Sequence, residues 1–102
     1  MRVSLQVMYP ITESTSFDHE YYVNTHLALV AEHMGKHIET TQVTKGVAGG
    51  PDTPPSFYAV ATMVFANQAA MDAAMENSGP VLSDIPNFYN ARPTVLIGVV
   101  TA

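Results

Sequence analysis

Cysteine is absent from the 102 residues, which removes disulfides, thiolate nucleophiles and cysteine-ligated zinc or iron–sulfur clusters at once. Redox chemistry therefore does not fix the compartment. Charge is also scarce, at 13% of residues, and basic charge scarcer: Arg2, Lys36, Lys45 and Arg92 are dispersed, against nine acids, for a net charge of −5. Such a chain has no basic stripe to neutralise phosphates and no polybasic segment for an anionic lipid surface, so neither nucleic acid nor membrane is an expected partner. Long apolar runs are missing as well. The longest, such as Val95 to Val100, fall far short of the roughly 20 residues that span a bilayer. Met1 to Pro10 lacks the basic start and continuous apolar stretch of a secretory leader. A soluble, cytoplasmic protein is the expectation.

What is present is one domain's worth of apolar sequence. The length suits a single core over residues 1–102. Hydrophobic residues make up 47% of it, too many for disorder and many for so few charges to cover, which hints at a buried partner surface.

Residues 2 to 9 alternate, with Val3, Leu5, Val7 and Tyr9 on one face, the period of a half-buried strand that Pro10 ends. From Phe17 to Met34 the spacing turns helical, with Ser16 or Asp18 available as N-cap and Gly35 as the stop. Residues 38 to 46, rich in Thr and Val, read as a second strand, and the cluster Gly46 to Pro55 as a turn system. Phe57 to Ala66 is a third strand, apolar on both faces and so central. Asn67 caps a short helix reaching Asn77, which Gly79 closes. Pro80 to Arg92, with prolines at 80 and 86, reads as an ordered loop or single helical turn before a last strand, Thr94 to Thr101.

The order βαββαβ, with two right-handed crossovers, gives an α+β ferredoxin-like fold: a four-stranded antiparallel sheet with two helices on one face. The opposite face is left bare. Exposed patches beyond a few hundred Å² usually mark an interface, so a homodimer through the open sheet face is expected.

On a helical wheel, Tyr22, Val23, His26, Leu27, Leu29, Val30 and Met34, with His19 and His33, share an arc of roughly 160°. His26 lies inside that inward arc and should be buried. Leaving its nitrogens unsatisfied would cost about 1 to 3 kcal/mol. Its partners are then a tyrosine hydroxyl or backbone carbonyl, in a structural role, or a ligand, as a pocket acid or base. His19, His26 and His33 recur every seven residues, but two turns separate neighbours by about 10.5 Å along the axis, too far to share one metal. Gly35 interrupts the closer pair His33 and His37. No metal is expected. Tyr9, Tyr22, Tyr58 and Tyr89 could supply phenol donors, and Asp84 and Asn87 acceptors. Strand one's end, helix one and the last loop tend to meet at one mouth of this architecture. No Gly-rich phosphate loop, nucleophile elbow or zinc-protease motif is present.

Four stretches together carry a family resemblance: Tyr9-Pro10, Phe17-Asp18-x-x-Tyr21-Tyr22-x-x-x-His26-Leu27-x-Leu29-Val30, Gly46-x-x-Gly49-Gly50, and Asp84-Ile85-Pro86-Asn87-Phe88. In these the chain resembles EthD-family proteins over almost its whole length, and the helix-one pattern is the specific part. The resemblance implies a dimeric α+β barrel in which His26 lines a small-molecule pocket. His26 is then the candidate catalytic acid or base, and Tyr9, Tyr22, Asp84, Asn87 and Tyr89, which the fold brings towards that mouth, are the candidate substrate-binding residues. It implies relatives linked to ether degradation, lactone isomerisation, polyketide cyclisation or decarboxylation of aromatic precursors, mostly without metal or organic cofactor. The family's helix continues after the histidine with one residue and then proline; here Ala28 takes that place. Three functions follow: a cofactor-free enzyme of isomerase or lyase type, a non-catalytic small-molecule-binding or stress-response module on the same barrel, and, fitting the helix-one pattern less well, a haem-handling relative.

Overall fold

A computed structural model describes residues 1–102. Four strands form one antiparallel sheet: β1 (Val3–Pro10), β2 (Thr40–Lys45), β3 (Phe57–Phe65) and β4 (Thr94–Val99), in the order β2-β3-β1-β4. This is the ferredoxin-like βαββαβ arrangement expected, with the most apolar strand, β3, inside the sheet. The register sets Leu5 beside Met63 and Ile97, and Val7 beside Ala61 and Val95, so the alternating residues of β1 and β3 bury one continuous face. Val3, Leu5, Ala61, Met63 and Phe65 form the main core there with Val30, Met34, Met71 and Ala74 from the helices.

Helix one has three parts: α1 (His19–Tyr21), a π-helical turn (Tyr22–His26) and α2 (Leu27–Met34), followed by a 3-10 turn (Gly35–His37). Asp18 caps the start, its carboxylate accepting the Tyr21 N–H at 3.0 Å. Asn67 likewise caps α3 (Gln68–Glu76) by accepting the Ala70 N–H at 2.9 Å.

Two expectations are corrected. Gly79 does not close the helical region: it opens another helix, α4 (Gly79–Asp84), which runs into a 3-10 turn (Ile85–Asn87), so three helices rather than two cover the sheet. Both prolines fall in the first turn of a helical segment, where the missing N–H has no intrahelical partner to lose; they start structure rather than break it. Val23, placed by periodicity on the inward arc, is 57% exposed, because the π-helical turn departs from the uniform wheel.

The open face is less apolar than expected. It carries Met8, Val60, Val64 and Leu96, but also Gln6, Gln42 and Thr62, with Gln6 donating to Thr62 at 3.3 Å. The exposed apolar side chains gather on edge strand β4, where Val95, Leu96, Ile97 and Val99 are each more than half exposed. No helix is long and apolar enough to cross a membrane.

Candidate functional site

The π-helical turn aims the histidine. Leu27 donates its backbone N–H to the Tyr22 carbonyl, five residues back rather than four. In an α-helix, residues four apart drift by about 40° per step. A wider turn holds more residues per revolution, so His26 stays nearly in line with Tyr22, and both are buried, as are Val30 and Met34 of α2. The Tyr22 and His26 rings stack at 5.5 Å and 18°. The distortion arises without proline, since residue 28 is Ala and no proline lies between Tyr21 and Met34.

His26 is 3% exposed, and its Nδ1 lies 3.0 Å from Asp84 Oδ2. Asp84 comes from the end of α4, held near helix one by backbone bonds: the Asp18 N–H donates to the Phe88 carbonyl at 2.9 Å, and Phe17 and Tyr89 form a bridge. The other carboxylate oxygen, Oδ1, accepts the Tyr21 hydroxyl at 2.5 Å and Asn87 Nδ2 at 3.0 Å. Burial raises the Asp84 carboxyl's proton affinity, but the bonds from Tyr21, Asn87 and His26 together outweigh it and hold the group below its ordinary value. It is ionised at neutral pH.

An ionised carboxylate only accepts hydrogen bonds. Nδ1 of His26 therefore donates, and the neutral ring carries its lone pair on Nε2. Burial lowers the imidazole's pKa below 6.5, only partly offset by Asp84, so the ring is neutral at pH 7. Nε2 has no protein partner, yet every sealed side-chain polar atom has one; this nitrogen is reachable. The His26 ring borders a cavity of about 60 Å³ between α2, α4 and the sheet. Its walls are apolar, including Leu5, Met63, Val30 and Val81, and beside His26 the polar lining residues are Thr41 and Ser78. Thr41, Met75 and Leu82 are the exposed members of the lining and form its mouth.

The other expected site residues fall into two groups. Tyr22 borders the cavity with His26, while Asp84 and Asn87 stand behind the ring. Tyr9 and Tyr89 sit with Tyr22, Ala59 and Phe88 in a second, aromatic core, off the cavity wall. The Tyr89 hydroxyl donates to the Pro10 carbonyl at 2.8 Å. Burial raises the pKa of Tyr9 far above its ordinary value and pushes Tyr22 up to about 12, so both stay protonated. Tyr58 bonds Thr15 instead of the site. Sequence reasoning missed Tyr21, which fixes Asp84; its place within the Tyr21-Tyr22 pair was visible, but its partner lies 63 residues away. No group of three or more His, Asp or Glu side chains is placed to hold a metal ion.

The model of the EthD domain matches residues 12–91. An EthD-like protein from Ralstonia eutropha JMP134 superposes with a TM-score of 0.88 at 33% identity, covering 99% of this chain and 93% of its own. An ethyl tert-butyl ether D family protein from Bacillus halodurans C-125 gives 0.80 at 25% identity, with 99% and 100% covered. SnoaB, described as a cofactor-independent oxygenase from Streptomyces nogalater, shares the fold at 0.64 and 10% identity over 99% and 94% of the chains. No curated protein sequence matches. With a family domain across most of its length and a third of its residues shared with an EthD-like structure, this chain belongs to the EthD family.

Proposed function

We propose that this protein is a cofactor-independent enzyme in which neutral His26, oriented by Asp84, takes a proton from a small metabolite in the apolar cavity and returns it to another atom, as an isomerase or cyclase requires. One observation carries the reading: a buried imidazole whose Nδ1 is tied to a threefold-bonded carboxylate, whose Nε2 has no protein partner, and whose ring borders a cavity. This is the base-and-orienter relation by which a histidine is fixed in one tautomer for proton transfer. The apolar surroundings keep the base neutral at working pH. Family membership and the fold shared with a cofactor-independent oxygenase are in keeping with it.

At about 60 Å³ the cavity is well below the roughly 300 Å³ of common ligand pockets, so a ligand enters by displacing Met75 and Leu82 at the mouth. That small volume also favours a second reading, binding without turnover. The proposal includes a homodimer that buries the open sheet face together with the apolar side chains of β4, and a cytoplasmic location.

The test is hydrogen–deuterium exchange at carbon next to the carbonyl of small cyclic ketones and lactones. Exchange catalysed by wild type should fall by about 10²- to 10⁴-fold in His26→Ala and His26→Gln. Equal rates in all three would end the catalytic reading, and a retained ligand recovered unchanged from the protein would favour binding.

A further inference from the structure

The cavity's lining restricts what it can hold. None of its 15 lining residues is a Lys, Arg, Asp or Glu, and 12 are hydrophobic. A carboxylate or phosphate placed there would lose its hydration and find no cation, a cost far above any gain from apolar contact. Asp84, immediately behind the imidazole, adds repulsion to an anion. A cation fares little better, because the Asp84 oxygens are already taken by Tyr21, Asn87 and His26 and Asp84 does not reach the cavity wall.

The polar contacts are equally restrictive. The Asp84 carboxylate holds the proton of His26 on Nδ1, so Nε2 offers a lone pair and no hydrogen. The Ser78 hydroxyl proton is spent on the Met75 carbonyl at 2.7 Å, leaving that oxygen as an acceptor too. Two of the lining polar groups thus present acceptors, while the hydroxyls of Tyr22 and Thr41 keep protons to donate. A ligand carbonyl or ether oxygen directed at His26 Nε2 or Ser78 Oγ would find no donor there.

Resting on the function proposed above, we infer that the site selects uncharged molecules with an apolar body and one donatable proton, a hydroxyl or an activated C–H, delivered to His26 Nε2, and that it discriminates against carboxylates, phosphates and ammonium groups of the same size. Met75 and Leu82, 37% and 54% exposed, set the upper size because the body of the ligand must pass between them.

Four probes of similar shape separate these features: para-cresol, neutral with a donor; para-methylanisole, neutral with only an acceptor; para-toluate, an anion; and para-methylbenzylamine, a cation at neutral pH. Affinities come from titrations followed by the His26 ring nitrogen resonances and by the Met75 and Leu82 methyl signals. Para-cresol should bind and shift His26 Nε2. Para-methylanisole should bind about fivefold or more weakly, the usual worth of one hydrogen bond, and the two ions about a hundredfold more weakly or not at all. Leu82→Ala, altering an exposed side chain, should speed entry without changing the order. Toluate or amine binding at the cavity as tightly as cresol, or anisole equal to cresol, would overturn the inference while leaving the pocket intact. If no probe perturbs the cavity in either wild type or Leu82→Ala, the pocket itself fails, and the inference with it.

Discussion

Asp84→Asn tests the orientation of His26 with almost no change in shape. The carboxylate receives three donors: the Tyr21 hydroxyl at 2.5 Å, Asn87 Nδ2 at 3.0 Å and His26 Nδ1 at 3.0 Å. An amide at this position has one oxygen to offer. If that oxygen keeps Tyr21 and Asn87, the amide nitrogen faces His26 Nδ1, and the ring must move its proton to Nε2 to avoid two opposed donors. The lone pair then leaves Nε2. Bonds to a charged group are worth about 1.5 to 3 kcal/mol against about 1 for neutral ones, while the variant regains the cost of burying the charge, so a net loss of about 2 kcal/mol is expected. For a domain of this size that lowers the melting temperature by roughly 8 to 16 °C. Proton-transfer activity should fall by about 10²- to 10⁴-fold with little change in ligand affinity for the apolar body. Nitrogen NMR of the imidazole reports the tautomer, thermal unfolding the stability, and deuterium exchange the activity. An Asp84→Asn variant whose His26 keeps its proton on Nδ1, or which exchanges at the wild-type rate, would refute the reasoning.

The stability of the fold should fall in two steps as pH decreases. His26 has a pKa below 6.5 in the folded chain because burial outweighs Asp84, so the unfolded chain takes up the proton first and stability, full above about 6.5, declines below it. Asp84, lowered from 3.8, adds a second decline beneath that value; urea midpoints across acid pH should show both steps in wild type and a smaller upper one in His26→Gln, where His19, also lowered by burial, still contributes, and a wild-type profile flat through the upper step would contradict the assignment. Leu96→Asp, on the open face of β4, should convert a dimer to monomers in sedimentation equilibrium with the monomer's secondary structure intact, and an unchanged mass at dilution would place the interface elsewhere. Gly46→Ala should be strongly destabilising, because a Cβ there would stand 2.0 Å from the Phe57 carbonyl oxygen, and a variant melting within a degree or two of wild type would show that the β2–β3 connection relaxes freely.

Much of the fold is legible in the sequence because its signals are local. The alternation of Val3, Leu5, Val7 and Tyr9, the Asn67 cap and the two-sided apolar pattern of Phe57–Phe65 each depend on near neighbours, and each stands where the sequence places it. The segment from Gly79 to Asn87 is not legible in the same way, because proline suits both a loop and a helix's first turn, and contacts of Val81 and Asp84 with the rest of the chain make the choice. The open face is less apolar than composition suggests because composition counts β4 and the sheet face together, while the register separates them.

His26 shows the same division within one residue. Its burial and its need for a partner follow from helical periodicity and the chemistry of imidazole, which act over a turn or two of chain. Which atom answers that need does not follow, because Asp84 is 58 residues away and becomes a neighbour only when the Phe88 carbonyl accepts the Asp18 N–H and pins the last turn to the first helix. Amino-acid order set the periods, the caps and the side chains on offer; packing chose the tautomer and the cavity that the ring borders, since each is a property of groups distant in sequence and held within a few ångströms in space.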